Sequence, residues 1–131
     1  MLENTIDEAI AALRQSSSSN RIFDANAALD RLDGDVELFA MLIDVFQQDS
    51  VELFDQLSAA LASGNLGQVE RSAHSLKGLA ANFDAKDAAQ AAFAIEQSAR
   101  ARDAAPIAAF ASELAVQLDK LRQALAQWEA N

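Results

Sequence analysis

Cysteine is absent from this chain of 131 residues, which rules out disulfides, a thiol nucleophile and thiolate metal ligation. Histidine occurs once, too few for an imidazole zinc site, so no resident metal or other cofactor is expected. Proline is also single, at Pro106, glycine occurs four times and tyrosine not at all. With alanine abundant, these shortages favour helix over strand and point to an all-α class. No apolar run reaches the roughly 18 residues of a membrane span, and no secretory signal pattern is present. A soluble cytoplasmic protein without membrane contact is the expectation. Basic residues are scarce: 10 Lys and Arg stand against 20 Asp and Glu, a formal charge of −10. A phosphate backbone repels such a surface, which makes nucleic acid a poor partner. Nor is there a glycine-rich loop to cradle a nucleotide, or an internal repeat.

What is present is helical periodicity, in a length that suits one domain with one core. Leu2 to Gln15 places Ile6, Ile10 and Leu13 at helical spacing, with Asn4 or Thr5 as caps. Ser16 to Asn20 is a polar break of connector type, so residues 1–20 read as an N-terminal helix and linker, and 21–131 as the domain proper. Asp24 offers an N-cap for a short helix through Leu32, ended by Asp33 and Gly34. Asp35 caps the longest helix, Val36 to about Ser63, whose stripe is Leu38, Phe39, Leu42, Ile43, Phe46, Val51, Phe54, Leu57 and Leu61. Ser63 and Gly64 end it, and Asn65 with Gln68 resembles a capping box for the next helix. A helix over Lys86 to Arg102 turns Ala89, Phe93 and Ile95 to Ala99 inward. Asp103 caps the last one, Pro106 falls in its first turn, and Ile107, Phe110, Leu114, Leu118, Leu121, Leu125 and Trp128 form its stripe. Four helices of about 17 to 28 residues joined by short loops imply an antiparallel up-down four-helix bundle with additional short N-terminal helices.

The chemistry concentrates between Asn65 and Ala85. Leu66, Val69, Ala73, Leu76, Ala80 and Phe83 fall within roughly 100° of arc, and His74 lies about 130° from the centre of that stripe, facing water. Imidazole exchanges protons and acts as a nucleophile near neutral pH. Gly78 sits one turn on, on the same face, and glycine inside a helix costs about 1 kcal/mol relative to alanine. Clearance for a bulky group approaching the imidazole accounts for it. Arg71 and Lys77 flank the histidine, Lys77 the nearer at about 60° round the helix, and both favour an incoming anion. The local charge therefore opposes the net charge. From Asp24 to Asp55, by contrast, nine carboxylates meet one base, Arg31, which reads as a solvated face. Glu96 and Gln97 are candidates for a contact to the histidine from the neighbouring helix.

The run Ala73-His74-Ser75-Leu76-Lys77-Gly78, followed by Ala80-Ala81-Asn82-Phe83 and Ala85, resembles the signature of the histidine-containing phosphotransfer domains of bacterial phosphorelays, and the resemblance extends from about Asp24 to Leu125. In that family a histidine accepts a phosphoryl group from the aspartate of a receiver domain and passes it to another. The resemblance implies that His74 is the phosphoacceptor, Lys77 stabilises charge on the phosphoryl group, and Gly78 keeps the histidine accessible. It implies receiver domains as partners, with a hybrid sensor histidine kinase among their sources, Mg²⁺ on the receiver, and a phosphocarrier with no kinase or ATP site of its own; a monomer is expected because the bundle should bury its own stripes. Leu79 and residues of the long helix would border the docking surface. Asp84 departs from the pattern by standing where family members usually carry glycine. Two other classes stay open: a bundle that binds receivers without transferring phosphate, and an enzyme using His74 as general acid or base, for which no convergent carboxylate, nucleophile or metal site is visible.

Overall fold

The computed structural model describes residues 22–128, so the expected helix over Leu2 to Gln15 and the Ser16 to Asn20 connector lie outside the described residues. Five helices make up the described chain: α1 Ala25–Arg31, α2 Val36–Ala62, α3 Leu66–Ala81, α4 Lys86–Arg100 and α5 Ile107–Ala126. The fold is all-α, as the periodicity requires. α2 packs on α3, α3 on α4, α4 on α5 and α5 back on α2, with α1 against α2. This is the expected four-helix bundle, with α1 as one short helix preceding it.

Asp24, Asp35 and Asn65 each accept a hydrogen bond at 3.1 Å from the backbone N–H three residues on, which starts α1, α2 and α3. The capping box at α3 is only half made. The backbone N–H of Asn65 already donates to the Ala60 carbonyl at 2.8 Å, so the Gln68 side chain turns to Ser72 Oγ at 2.9 Å instead. Nor does Asp103 cap α5, which begins after Pro106 without a side-chain cap. The Asp103 N–H instead closes α4, donating to the Ser98 carbonyl at 2.9 Å.

That closure recurs. α1, α2, α3 and α4 each end with a residue in the left-handed region followed by an N–H that reaches back to the final turn: Asp33, Gly64, Asp84 and Arg102 hold φ of 55°, 76°, 52° and 60°. Glycine fills one of these four positions, and aspartate tolerates the conformation better than most other residues. Arg31 then reinforces the end of α3, its Nη1 meeting Asp84 Oδ2 at 2.9 Å and its Nη2 the carbonyls of Ala81 and Asn82 at 3.1 and 3.0 Å. The Asp24 N–H adds a bond to the Phe83 carbonyl at 2.8 Å, so α1 is fastened across the end of the histidine helix.

The core is built on Phe39, Phe46 and Phe83, the last meeting the other two edge-on at 5.7 and 5.5 Å between ring centroids. Trp128 closes one end against Phe39 at 4.7 Å. Three expected core positions face outward instead. Leu38 and Val51 on α2 are 38% and 40% exposed because they lie about 100° and 120° round the helix from Phe39, outside the arc that α3 and α5 cover. Phe93 is 41% exposed, while Ala88, Ala91, Ala92, Ile95, Glu96 and Ala99 form the inner face of α4 and Ala89 is half-buried. With small alanines at the interface, α4 approaches α3 closely.

The left-handed backbone at Asp84 leads to a graded expectation. Asp84→Val should lower the unfolding free energy by about 2 kcal/mol, since a β-branched residue resists this conformation, and Asp84→Gly by less than half of that, since glycine loses only the Arg31 contact. Urea denaturation of both variants checks the order; equal losses would assign the effect to the ion pair alone.

Candidate functional site

The core stripe of α3, Val69, Ala73, Leu76 and Ala80, is fully buried and so sets the rotation of the helix. That rotation turns His74 outward, with 66% of its side chain exposed. On the same helix Lys77 lies at the border with α4, 30% exposed, and Gly78 faces solvent. A Cβ built on Gly78 would meet nothing within 4 Å, so nothing inside the chain requires glycine there.

The inner face of α4 supplies Glu96, whose side chain is 3% exposed. Its Oε2 lies 2.8 Å from His74 Nδ1 and its Oε1 accepts from Lys77 Nζ at 2.7 Å. Arg100, one turn further along α4, donates from Nη2 to Oε2 at 3.1 Å and from Nε to Glu70 Oε2 on α3 at 3.0 Å. Phe93 lies under Lys77, its ring centroid 4.9 Å from Nζ. Burial opposes ionisation of Glu96, but hydrogen bonds from Lys77 and His74, and then their charges, outweigh it and hold the carboxyl below its ordinary value of 4.5. Glu70 keeps the Arg100 guanidinium firmly protonated.

An ionised carboxylate only accepts hydrogen bonds, so Nδ1 carries the proton toward Glu96 and Nε2 carries the free lone pair. That nitrogen is on the exposed side of the ring. The arrangement is a nucleophile of fixed tautomer on a convex helix surface, with an ammonium group beside it and open space over Gly78 for an incoming group. A groove lies elsewhere, between α2 and α5, lined by Ile43, Gln47, Arg122 and Trp128 among others. His74 is not among its lining residues. Among the described residues no cluster of His, Asp and Glu could hold a metal ion, and no helix is long and apolar enough to cross a membrane.

A family model for the Hpt domain matches residues 41–130. The chain belongs to the Hpt domain family. The crystal structure of histidine-containing phosphotransfer protein B from Pseudomonas aeruginosa is similar to it with a TM-score of 0.75 and 26% identity, over 80% of this chain and 91% of that one. No curated protein matches the sequence. As an Hpt domain the chain has a histidine phosphotransfer role in phosphorelays, with receiver domains as partners.

In this Hpt domain the expected trio of His74, Lys77 and Gly78 occupies one surface. Of the two residues anticipated on the neighbouring helix, Glu96 makes the contact and Gln97 is exposed. Arg71 does not join the cluster; its guanidinium bonds the Gln68 side chain at 2.9 Å, one turn away from the histidine. Sequence reasoning missed Phe93 and Arg100; Glu70, which the sequence already sets in the charge patch around His74, is the partner of Arg100. Phe93, Glu96 and Arg100 are spaced by three and four, a second stripe on α4 that a reading aimed at the core had merged with the inner face.

Two expectations follow for this surface. Gly78→Ala should raise the unfolding free energy by about 0.5–1 kcal/mol, because an exposed helix interior gains propensity without a clash, and a thermal melt reads it. Glu96→Gln should cost about 1–3 kcal/mol at about pH 7. Since the folded-state value of Glu96 is depressed, its contribution is present in full above the ordinary carboxylate value and is lost as pH falls through the lower one. Denaturation curves of native and Glu96→Gln chains should therefore converge as pH falls below the ordinary carboxylate value, and a constant difference would contradict this account.

Proposed function

We propose that this Hpt domain is a phosphocarrier in which His74 is the phosphoacceptor, taking a phosphoryl group from the aspartyl phosphate of one receiver and passing it to the aspartate of another. The observation that carries the reading is the 2.8 Å contact of Nδ1 with buried Glu96, which leaves Nε2 as the outward nucleophile. Its lone pair attacks phosphorus in line; the N–P bond forms as the P–O bond to the receiver's carboxylate breaks and the carboxylate leaves with that electron pair. The Nδ1 proton stays in place, and Glu96 stabilises the positive charge that spreads over the phosphorylated ring. Lys77 neutralises charge on the transferring group, and Gly78 leaves room for the receiver. Transfer onward reverses each step. Mg²⁺ belongs to the receiver's side of the complex.

The docking surface runs from Gly78 and half-buried Leu79 across to α2, where Met41 and Val45 are 63% and 45% exposed. Both lie on the side of α2 that carries Gln56 and Ala59 to the edge of α3. An apolar patch of this kind beside a polar site suits a transient partner. We place the protein in the cytoplasm as a monomer, with a hybrid sensor kinase as one source of the donating receiver.

The test is label transfer from receivers charged with radioactive phosphate. The native chain should acquire acid-labile label and His74→Gln none. Lys77→Ala should slow transfer on the order of tenfold, and Gly78→Leu should block it while the fold is retained. Receivers that bind tightly yet never transfer label would replace the carrier with a non-transferring interaction module.

A further inference from the structure

Glu96 has two cationic partners, one on each oxygen. Lys77 holds Oε1 at 2.7 Å, while Oε2 takes both the His74 Nδ1 proton and Arg100 Nη2 at 3.1 Å. The two cations differ in freedom. Lys77 has a flexible stem at the border of the site, with its ammonium 4.9 Å from the centroid of the Phe93 ring. Arg100 is tethered at its Nε by Glu70 at 3.0 Å, so its planar fork is already oriented on the carboxylate. A phosphoryl group on His74 brings a charge of about −1.5 to −2. It draws Lys77, and a carboxylate with 3% exposure would then face only a phosphorylated ring whose positive charge the phosphoryl oxygens largely cancel, a poorly compensated buried charge.

Resting on the phosphocarrier reading, we propose that Arg100 is a positioning residue that acts through Glu96, as the counter-charge that remains on the carboxylate when Lys77 leaves Oε1 for the phosphoryl group. Because Lys77 and Arg100 use different oxygens, one departs without breaking the other's bond. Because Arg100 shares Oε2 with His74, it also keeps that oxygen in place, and with it the tautomer of the ring. Glu70 completes the device by stopping the guanidinium from following the phosphoryl charge itself.

The consequence is a coupling between Arg100 and Lys77 that appears only in the phosphorylated state. An ammonium paired with the phosphoryl oxygens stabilises the phosphohistidine that waits for a receiver, so in the absence of one it lengthens the life of the N–P bond. The chain is phosphorylated chemically with phosphoramidate, and loss of phosphohistidine is followed by ³¹P NMR in the native protein, Lys77→Ala, Arg100→Gln and the double variant. Arg100 is exposed on the last turn of α4, so its variant should fold, which circular dichroism checks. Lys77→Ala should shorten the lifetime about 3- to 10-fold. Arg100→Gln should do nearly the same with Lys77 intact, because the lysine is retained on Glu96, and the double variant should match the single ones. Arg100→Lys should recover part of the loss. A native lifetime in Arg100→Gln or in Lys77→Ala, or losses that multiply in the double variant, would overturn the proposal. Failure of receivers to transfer label would sink the carrier reading by itself, since these lifetimes need no receiver.

Discussion

Glu96 is the constraint on which the site depends. A carboxylate inside a bundle is tolerated when cations and hydrogen-bond donors surround it, and every donor that surrounds this one comes from a defined place: His74 and Lys77 from α3, Arg100 from its own helix. That requirement explains much of the local architecture. α4 must approach α3 closely enough for short bonds to form, which the alanines of its inner face allow, and α3 must hold a fixed rotation, which Val69, Ala73, Leu76 and Ala80 enforce. The same geometry fixes the histidine tautomer. An imidazole facing water is thus held by a network centred on one buried carboxylate.

The ends of α3 carry the rest of the positioning. At one end the Asn65 side chain starts the helix; at the other, Arg31 and the Asp24 backbone hold the last carbonyls. Asp84 shows how one position can serve two needs. It accepts the left-handed backbone that a glycine would accept more readily, and its carboxylate gives Arg31 a partner that glycine could not. The departure from the family pattern is in this sense compensated within the chain. α1, which has no part in the chemistry, becomes a strut for the helix that does.

Much of this could be read from the residues. The helices, their order and the outward direction of His74 follow from spacing, because apolar periodicity and core burial are two views of the same arc. The limits of that reading are physical as well. Spacing marks an apolar residue but not how much of the arc neighbours will cover, which is why Leu38, Val51 and Phe93 were assigned to the core and lie outside it. Asp103 and Gln68 were expected to cap helices because their types and offsets suit capping. Their groups are otherwise engaged, the Asp103 N–H in closing α4 and the Gln68 side chain on Ser72, a competition that only the folded backbone decides. Arg100 and Glu70 sit on different helices, thirty residues apart, and nothing local links them.

The balance of charge at the site bears on what a carrier must do. An intermediate that both accepts and donates a phosphoryl group works best when the phosphorylated state is neither much more nor much less stable than its neighbours in the relay, because excess stabilisation on one step becomes a barrier on the next. Lys77 and Arg100 face Glu70 and Glu96, so the unphosphorylated cluster is nearly neutral with its cations occupied. On the proposed phosphocarrier reading, the incoming group competes with Glu96 for Lys77, and what it gains is the difference between two ion pairs. A free lysine at the same place would bind the phosphoryl group more strongly and release it less easily. In that reading the buried carboxylate does two things at once: it orients the imidazole of His74, and it moderates the attraction of Lys77 for the phosphoryl group. An acidic surface elsewhere, with a formal charge of −10 for the chain, adds to the same restraint, since over a Debye length of about 8 Å it weakly disfavours a further anion.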